Sequence, residues 1–153
     1  LYSIPSYHFN YQIYSMGCDM SFLKKSRELE GTGEGTAREK RVLLLGLDNA
    51  GKTSLLFQMR DKEFKTTVPT VGLNIEHIVY KKYSLTMWDV GGQATRLWKH
   101  YFDHINGIVF VIDSTDEEKL ILAKDELLRL IRDESLKGVP ILMLYNKKDL
   151  VGQ

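Results

Sequence analysis

Gly46-Leu47-Asp48-Asn49-Ala50-Gly51-Lys52-Thr53 stands between a short apolar run, residues 41–45, and a segment over residues 52–60 that carries Leu55, Leu56 and Met59 on one side. The run suits a buried strand and the segment a helix. The octet fits G-x-x-x-x-G-K-[ST], a pattern that gains meaning when it joins a strand to a helix. Phosphate binding needs that setting. Glycines let the backbone curl around an anion so that several N–H groups point inward together, and the helix N-terminus adds positive potential. Asp48, Asn49, Ala50, Gly51, Lys52, Thr53 and Ser54 are therefore the expected phosphate-binding residues. Lys52 would neutralise the outer phosphates, and the Thr53 hydroxyl would ligate Mg²⁺.

Outward from this loop the chain alternates strand-like and helix-like units. Residues 73–79 and 85–90 read as two strands, with Lys81, Lys82 and Tyr83 as the hairpin between them. Residues 107–112 form a near-continuous apolar run, typical of a parallel strand covered on both faces. Ser114-x-x-Glu117 and Thr115-x-x-Glu118 are overlapping capping boxes. They open a helix whose expected apolar face is Leu120, Ala123, Leu127, Leu128 and Ile131. Residues 140–144 are a further apolar strand. Strands alternating with helices imply an α/β fold with a mainly parallel sheet.

Two more motifs follow strand ends. Trp88-Asp89-Val90-Gly91-Gly92-Gln93 places a carboxylate where it can hold Mg²⁺, directly or through water. A flexible glycine next to it can bring a backbone N–H to a terminal phosphate, and Gln93 can orient a water for in-line attack. Asn146-Lys147-Lys148-Asp149 lies just beyond residues 140–144. A carboxylate at Asp149 can accept from the N1–H and exocyclic amine of guanine, a donor pair that adenine lacks. Asn146 would tie this turn to the phosphate loop, and the Lys147 stem would cover a base face. Together these residues predict a site for GTP or GDP with Mg²⁺.

The composition agrees with one globular domain: 153 residues, 43% hydrophobic, 27% charged, formal net charge +1. This balance argues against a strongly basic nucleic-acid binder, so nucleic acid is not an expected partner. No apolar run reaches the roughly 18 residues of a membrane-spanning helix. Cys18 is the only cysteine, which leaves no internal disulfide and fits a reducing compartment.

The order and context of the motifs resemble a small GTPase. Pro69-Thr70-Val71-Gly72-Leu73-Asn74 and Leu97-Trp98-Lys99-His100-Tyr101-Phe102, with the three motifs above, are similar to the ADP-ribosylation factor (Arf and Arf-like) branch over about residues 40–153. The resemblance implies a P-loop NTPase fold of the Ras-like kind, a doubly wound and mostly parallel sheet. It implies a monomeric GTP/GDP switch in membrane traffic or organelle and ciliary transport, with slow hydrolysis, an exchange factor, an activating protein and effectors. Thr70 would ligate Mg²⁺ beside Thr53 and Asp89, and Gly92 would bind the γ-phosphate through its N–H. Leu73, Trp88 and Tyr101 would form the hydrophobic triad met by effectors, and the hairpin 73–90 would slide in register on GTP binding.

The N-terminal part reads differently. Residues 1–15 hold five aromatic residues, Tyr2, Tyr7, Phe9, Tyr11 and Tyr14, and show no helical or strand period. They are read as disordered or upstream sequence, and residues 16–39 as an anchor segment with a Gly-rich linker. Met16-Gly17-Cys18-Asp19-Met20-Ser21 matches M-G-x-x-x-[ST] for N-myristoylation of Gly17. Cys18 could take a second acyl chain, since one myristoyl alone binds a membrane marginally. A peripheral position on an endomembrane such as the Golgi, facing the cytoplasm, is the resulting expectation.

The chain departs from the family pattern in three places. Ala94-Thr95-Arg96 separates Gln93 from Leu97 where the pattern has two more residues, so switch II is shorter. Leu73 stands where Arfs carry phenylalanine. The pattern also continues past Asn-Lys-x-Asp with a last strand and helix, absent after Gln153. An open edge at residues 140–144 is therefore expected. Each large apolar side chain left uncovered forgoes about 1.5–3 kcal/mol, so the chain as given is expected to bind GTP weakly or not at all. A non-hydrolysing nucleotide-binding scaffold is the other reading.

Overall fold

The apolar run ahead of the phosphate-loop motif lies in the middle of a six-stranded sheet. In the computed structural model, which describes residues 13–16, 38–61, 67–80, 83–93 and 95–151, the strands are β1 (Ile13–Met16), β2 (Arg38–Leu45), β3 (Leu73–Tyr80), β4 (Tyr83–Val90), β5 (Gly107–Asp113) and β6 (Ile141–Asn146). Their order across the sheet is β1-β6-β5-β2-β4-β3. The inner pairs β2/β4, β2/β5 and β5/β6 are parallel, and the two outermost pairs are antiparallel.

Helix α1 (Lys52–Asp61) covers one face and α2 (Glu117–Arg132) the other. Leu44 points toward α1, clustering with Ala50, Leu56, Ile78, Met87 and Val111. Leu43 and Leu45 point the other way, among Ile108, Phe110, Ile112 and Met143 with Ala123, Leu127 and Leu130 of α2. A strand covered on both faces has no reason to alternate with polar residues. This explains three consecutive leucines, 43, 44 and 45, all fully buried.

Several local expectations change. Strands β2 and β6 run beyond the apolar runs that announced them. Tyr83 opens β4 instead of turning the hairpin, and residues 81 and 82 lie outside the described residues. The N-cap of α2 is Asp116, whose side chain accepts from the Lys119 N–H. Neither serine nor threonine of the capping boxes does this, because Thr115 is turned back onto Asp113 through its N–H and hydroxyl. Leu130 is buried where Ile131 was expected, and Met59 of α1 is exposed.

The edge of β6 is not open. Residues 13–16 pair with it antiparallel, Ile13 opposite Leu144 through Met16 opposite Ile141. Residues 13–15 thus stand in a strand and not in irregular chain. An unpaired strand edge presents a row of N–H and C=O groups that any extended segment within reach can satisfy. Periodicity within such a short segment carries no sign of that pairing.

Candidate functional site

Ligands of open α/β sheets bind beyond the carboxyl ends of the parallel strands. Four such ends meet here. The phosphate-loop motif leaves β2, Asp89 is the penultimate residue of β4, Asp113 closes β5 and Asn146 closes β6. A cleft of about 530 Å³ opens at this edge, its lining running from Asp48, Lys52 and Thr53 through Thr70, Gly92 and Gln93 to Asn146, Lys147 and Asp149.

The loop between β2 and α1 takes the backbone forms that inward-pointing N–H groups require. Asn49 has φ 60° and Gly51 φ 93°, both left-handed. Gly46 lies so close to β5 that a methyl there would run into the Val111 carbonyl oxygen. Lys52 folds back over the loop and donates from Nζ to the Gly46 and Leu47 carbonyls, each at 2.9 Å. It is buried.

Thr53, Thr70 and Asp89 come from three separate segments and converge. Thr53 Oγ1 lies 2.7 Å from Thr70 Oγ1 and donates to Asp89 Oδ2 at 2.5 Å, and Thr70 Oγ1 donates to the same oxygen at 3.1 Å. Asp89 is completely buried, and its Oδ1 has no hydrogen-bond partner. Burial pushes its carboxyl above the ordinary carboxylate range, against the Thr53 bond, the Lys52 charge and the Thr70 bond. Burial also lowers the Lys52 ammonium, against the pull of Asp89 and Asp48. Both shifts run toward neutrality. An anion beside Lys52 and a divalent cation beside Asp89 would oppose them. Two hydroxyls and a carboxylate with a spare oxygen are hard donors of the kind Mg²⁺ takes when phosphates complete its shell.

Hydrogen bonds around Gly91 anchor the segment that leads to the cleft residues Gly92 and Gln93. Gly91 N–H donates to the Gly72 carbonyl at 2.9 Å, and Trp98 Nε1 donates to the Gly91 carbonyl at 3.2 Å. Gly92 is packed onto the phosphate loop so tightly that a methyl would strike the Asp48 nitrogen and the Leu47 carbonyl carbon. Gln93 is exposed and borders the cleft. Ser54 reaches the hydroxyl of Thr67 at 3.2 Å.

At the other end, Asn146 Nδ2 donates to the Ala50 carbonyl at 2.9 Å, which makes the expected tie between the turn and the phosphate loop. Lys147 has φ 60°, and its Nζ donates to Asp113 Oδ2 at 2.7 Å. Burial would raise the Asp113 carboxyl, but Lys147 and Thr115 outweigh it and hold the group below its ordinary value. Asp149 borders the cleft and is exposed.

Leu73, Trp88 and Tyr101, expected as a hydrophobic triad, flank the core. Trp88 and Tyr101 meet edge to face at 6.0 Å, and the Arg41 guanidinium lies 3.5 Å over the Trp88 ring. Leu73 is diagonal to Trp88 on the same face, since Ile75 is the residue opposite it. All three are half-buried. Gly17 and Cys18 lie outside the described residues. Motif reading missed Thr67, Asp113 and Lys119. Asp113, an acidic residue ending an apolar strand beside the other strand ends, had a readable signal. Thr67 and Lys119 had none without the fold.

A phosphate-binding loop, a hydroxyl–carboxylate cluster and an Asn-Lys-x-Asp turn at the carboxyl ends of one parallel sheet define a small GTPase domain. The family description "Arf: ADP-ribosylation factor family" matches residues 26–153, and the chain belongs to that family. It is 48% identical over 115 residues to ADP-ribosylation factor K of Dictyostelium discoideum, covering 74% of this chain and 61% of that protein. It also superposes on the Arl6 BBS3 small GTPase from Trypanosoma brucei with bound nucleotide analogue GppNp. That match has TM-score 0.61 and 30% identity, over 67% of this chain and 64% of that one. The chain therefore spans a little over three-fifths of the length of these relatives.

Proposed function

We propose that this chain works as a GTP/GDP-dependent switch that requires Mg²⁺ and hydrolyses GTP slowly. The observation that carries the reading is the meeting of Thr53, Thr70 and Asp89 over the phosphate loop. Thr53 is the last residue of the phosphate-loop octet, Thr70 precedes β3 and Asp89 is the penultimate residue of β4, so one cluster would connect the phosphates to the start and the end of the β3–β4 hairpin. Bound Mg²⁺ would neutralise phosphate charge there. Lys52 would hold the outer phosphates, Gly92 would meet the terminal one through its N–H, and Gln93 would orient the attacking water. Asn146, Lys147 and Asp149 would hold guanine.

No arginine has a motif-assigned place at the phosphates, so an activating protein would supply one. Leu73, Trp88 and Tyr101 would offer effectors a half-buried apolar surface whose position depends on the hairpin. Exchange factors, vesicle or organelle traffic, and a peripheral endomembrane position through lipid on Gly17 and Cys18 belong to the same reading. Lipid on Gly17 requires translation to start at Met16, because the reaction needs a free glycine amine.

Single-turnover GTP hydrolysis tests the enzymatic part. The wild-type chain is expected to hydrolyse slowly and Gln93→Leu to be at least about tenfold slower, within the usual range for losing general acid–base or water-positioning help. Equal rates would favour the non-hydrolysing scaffold, which the shorter switch II also favours.

A further inference from the structure

Lys119 is a cation in the first turn of α2, where the helix dipole opposes positive charge. Its Nζ reaches a residue 71 positions earlier, lying 3.3 Å from the carbonyl oxygen of Asp48 and 3.4 Å from Asp48 Oδ2. The Asp116 carboxylate stands 3.8 Å away. Lys119 is only 27% exposed and the Asp48 side chain 45%.

Asp48 lies within the phosphate-loop octet. It puts a carboxylate on the wall of a cleft that must receive several negative charges. Its backbone has a second neighbour, since Gly92 packs against the Asp48 nitrogen. Lys119 therefore holds the peptide unit that follows the Asp48 Cα, and Gly92 packs on the one that precedes it. Lys119 both offsets the carboxylate and fixes the carbonyl of the same residue.

We propose that Lys119 is a positioning residue for the triphosphate, neutralising Asp48 and fixing the backbone on which Gly92 packs, so that losing Lys119 weakens GTP binding more than GDP binding. The effect concentrates on the terminal phosphate because Gly92 is the loop's neighbour there. This proposal rests on the nucleotide reading above and names a residue that no motif assigns.

The test is equilibrium binding of GDP and of a non-hydrolysable GTP analogue to the 153-residue chain, titrated to millimolar nucleotide so that weak dissociation constants are still read. Lys119→Met is expected to weaken the analogue about tenfold, near the lower end for losing hydrogen bonds to a charged group, and GDP by no more than about twofold. Lys119→Arg is expected to restore most of the difference. In an Asp48→Asn background, Lys119→Met is expected to discriminate less between the two nucleotides. GDP binding in each variant reports that the fold is intact. Equal weakening of both nucleotides, no weakening of either, or an undiminished effect in the Asp48→Asn background would each overturn the role of Lys119 alone. Absence of guanine-nucleotide binding by the wild-type chain would overturn the nucleotide reading and this proposal with it.

Discussion

Replacing Asn146 by alanine removes one hydrogen bond and leaves the strands intact. Asn146 closes β6, and its Nδ2 donates to the Ala50 carbonyl at 2.9 Å across 96 residues of sequence. Ala50 is 2% exposed, so its carbonyl has little access to water as a substitute donor. An acceptor left unpaired in such a place costs about 1–3 kcal/mol. The Gly51 backbone lies so close to Asn146 that a methyl there would strike Nδ2, which leaves room for the freed loop to drift into the gap. Nucleotide must then reorder the loop on binding. At 1.4 kcal/mol per decade, the affinity for GDP should fall about five- to a hundredfold. Fluorescence titration with a labelled GDP, alongside thermal melting, measures both consequences. A lowered melting temperature with unchanged affinity would refute the reasoning, because it would mean that the bond holds the fold and not the loop.

Three further outcomes are expected. Leu56→Ala empties a fully buried position between Leu44 and Met87; it should destabilise the domain by about 2–5 kcal/mol, read as the shift of the urea unfolding midpoint, and a shift worth under about 1 kcal/mol would place Leu56 outside the core. Asp113 is held below its ordinary value of 3.8, so its stabilisation is present above that pH and lost as pH falls through the lower folded value. The stability gap between wild type and Asp113→Asn should therefore stay constant down to about pH 4 and narrow below it, whereas a gap that is flat throughout would remove Lys147 and Thr115 as the cause. A chain starting at Met16 should incorporate labelled myristate with an N-myristoyltransferase and lose it in Gly17→Ala; persistent label in the variant would place the lipid elsewhere.

Much of the site was legible because its parts lie in contiguous motifs whose spacing is itself the geometry. The phosphate-loop octet contains both its loop and its helix start, so Lys52 and Thr53 follow from eight residues. The convergence of Thr53 with Asp89 also followed, since parallel neighbouring strands bring their carboxyl ends together. Residues that act through a long-range contact were not legible. Lys119 is one of two lysines on an amphipathic helix until the fold brings it to Asp48. Thr67 looks like any polar loop residue until it faces Ser54.

Two misread details share one cause, competition between near-equivalent local options. Ser114, Thr115 and Asp116 are all good caps, and the choice fell to Asp116 because Asp113 engages Thr115 first. Leu130 and Ile131 both follow the apolar face, and packing against the sheet selected Leu130. The pairing of β1 with β6 depends on an edge becoming available, a property of the assembled sheet and not of residues 13–16.

The central claim is a Mg²⁺-dependent site that selects guanine through Asp149. Competition of GTP and ATP for labelled GDP on the wild-type chain, with Mg²⁺ and then with excess chelator, tests it most directly and does not depend on absolute affinity. GTP should displace the label at a concentration at least about a hundredfold below that of ATP, since adenine leaves the carboxylate unpaired, and chelation should weaken the bound nucleotide. Equal competition by ATP, or binding indifferent to Mg²⁺, would contradict it.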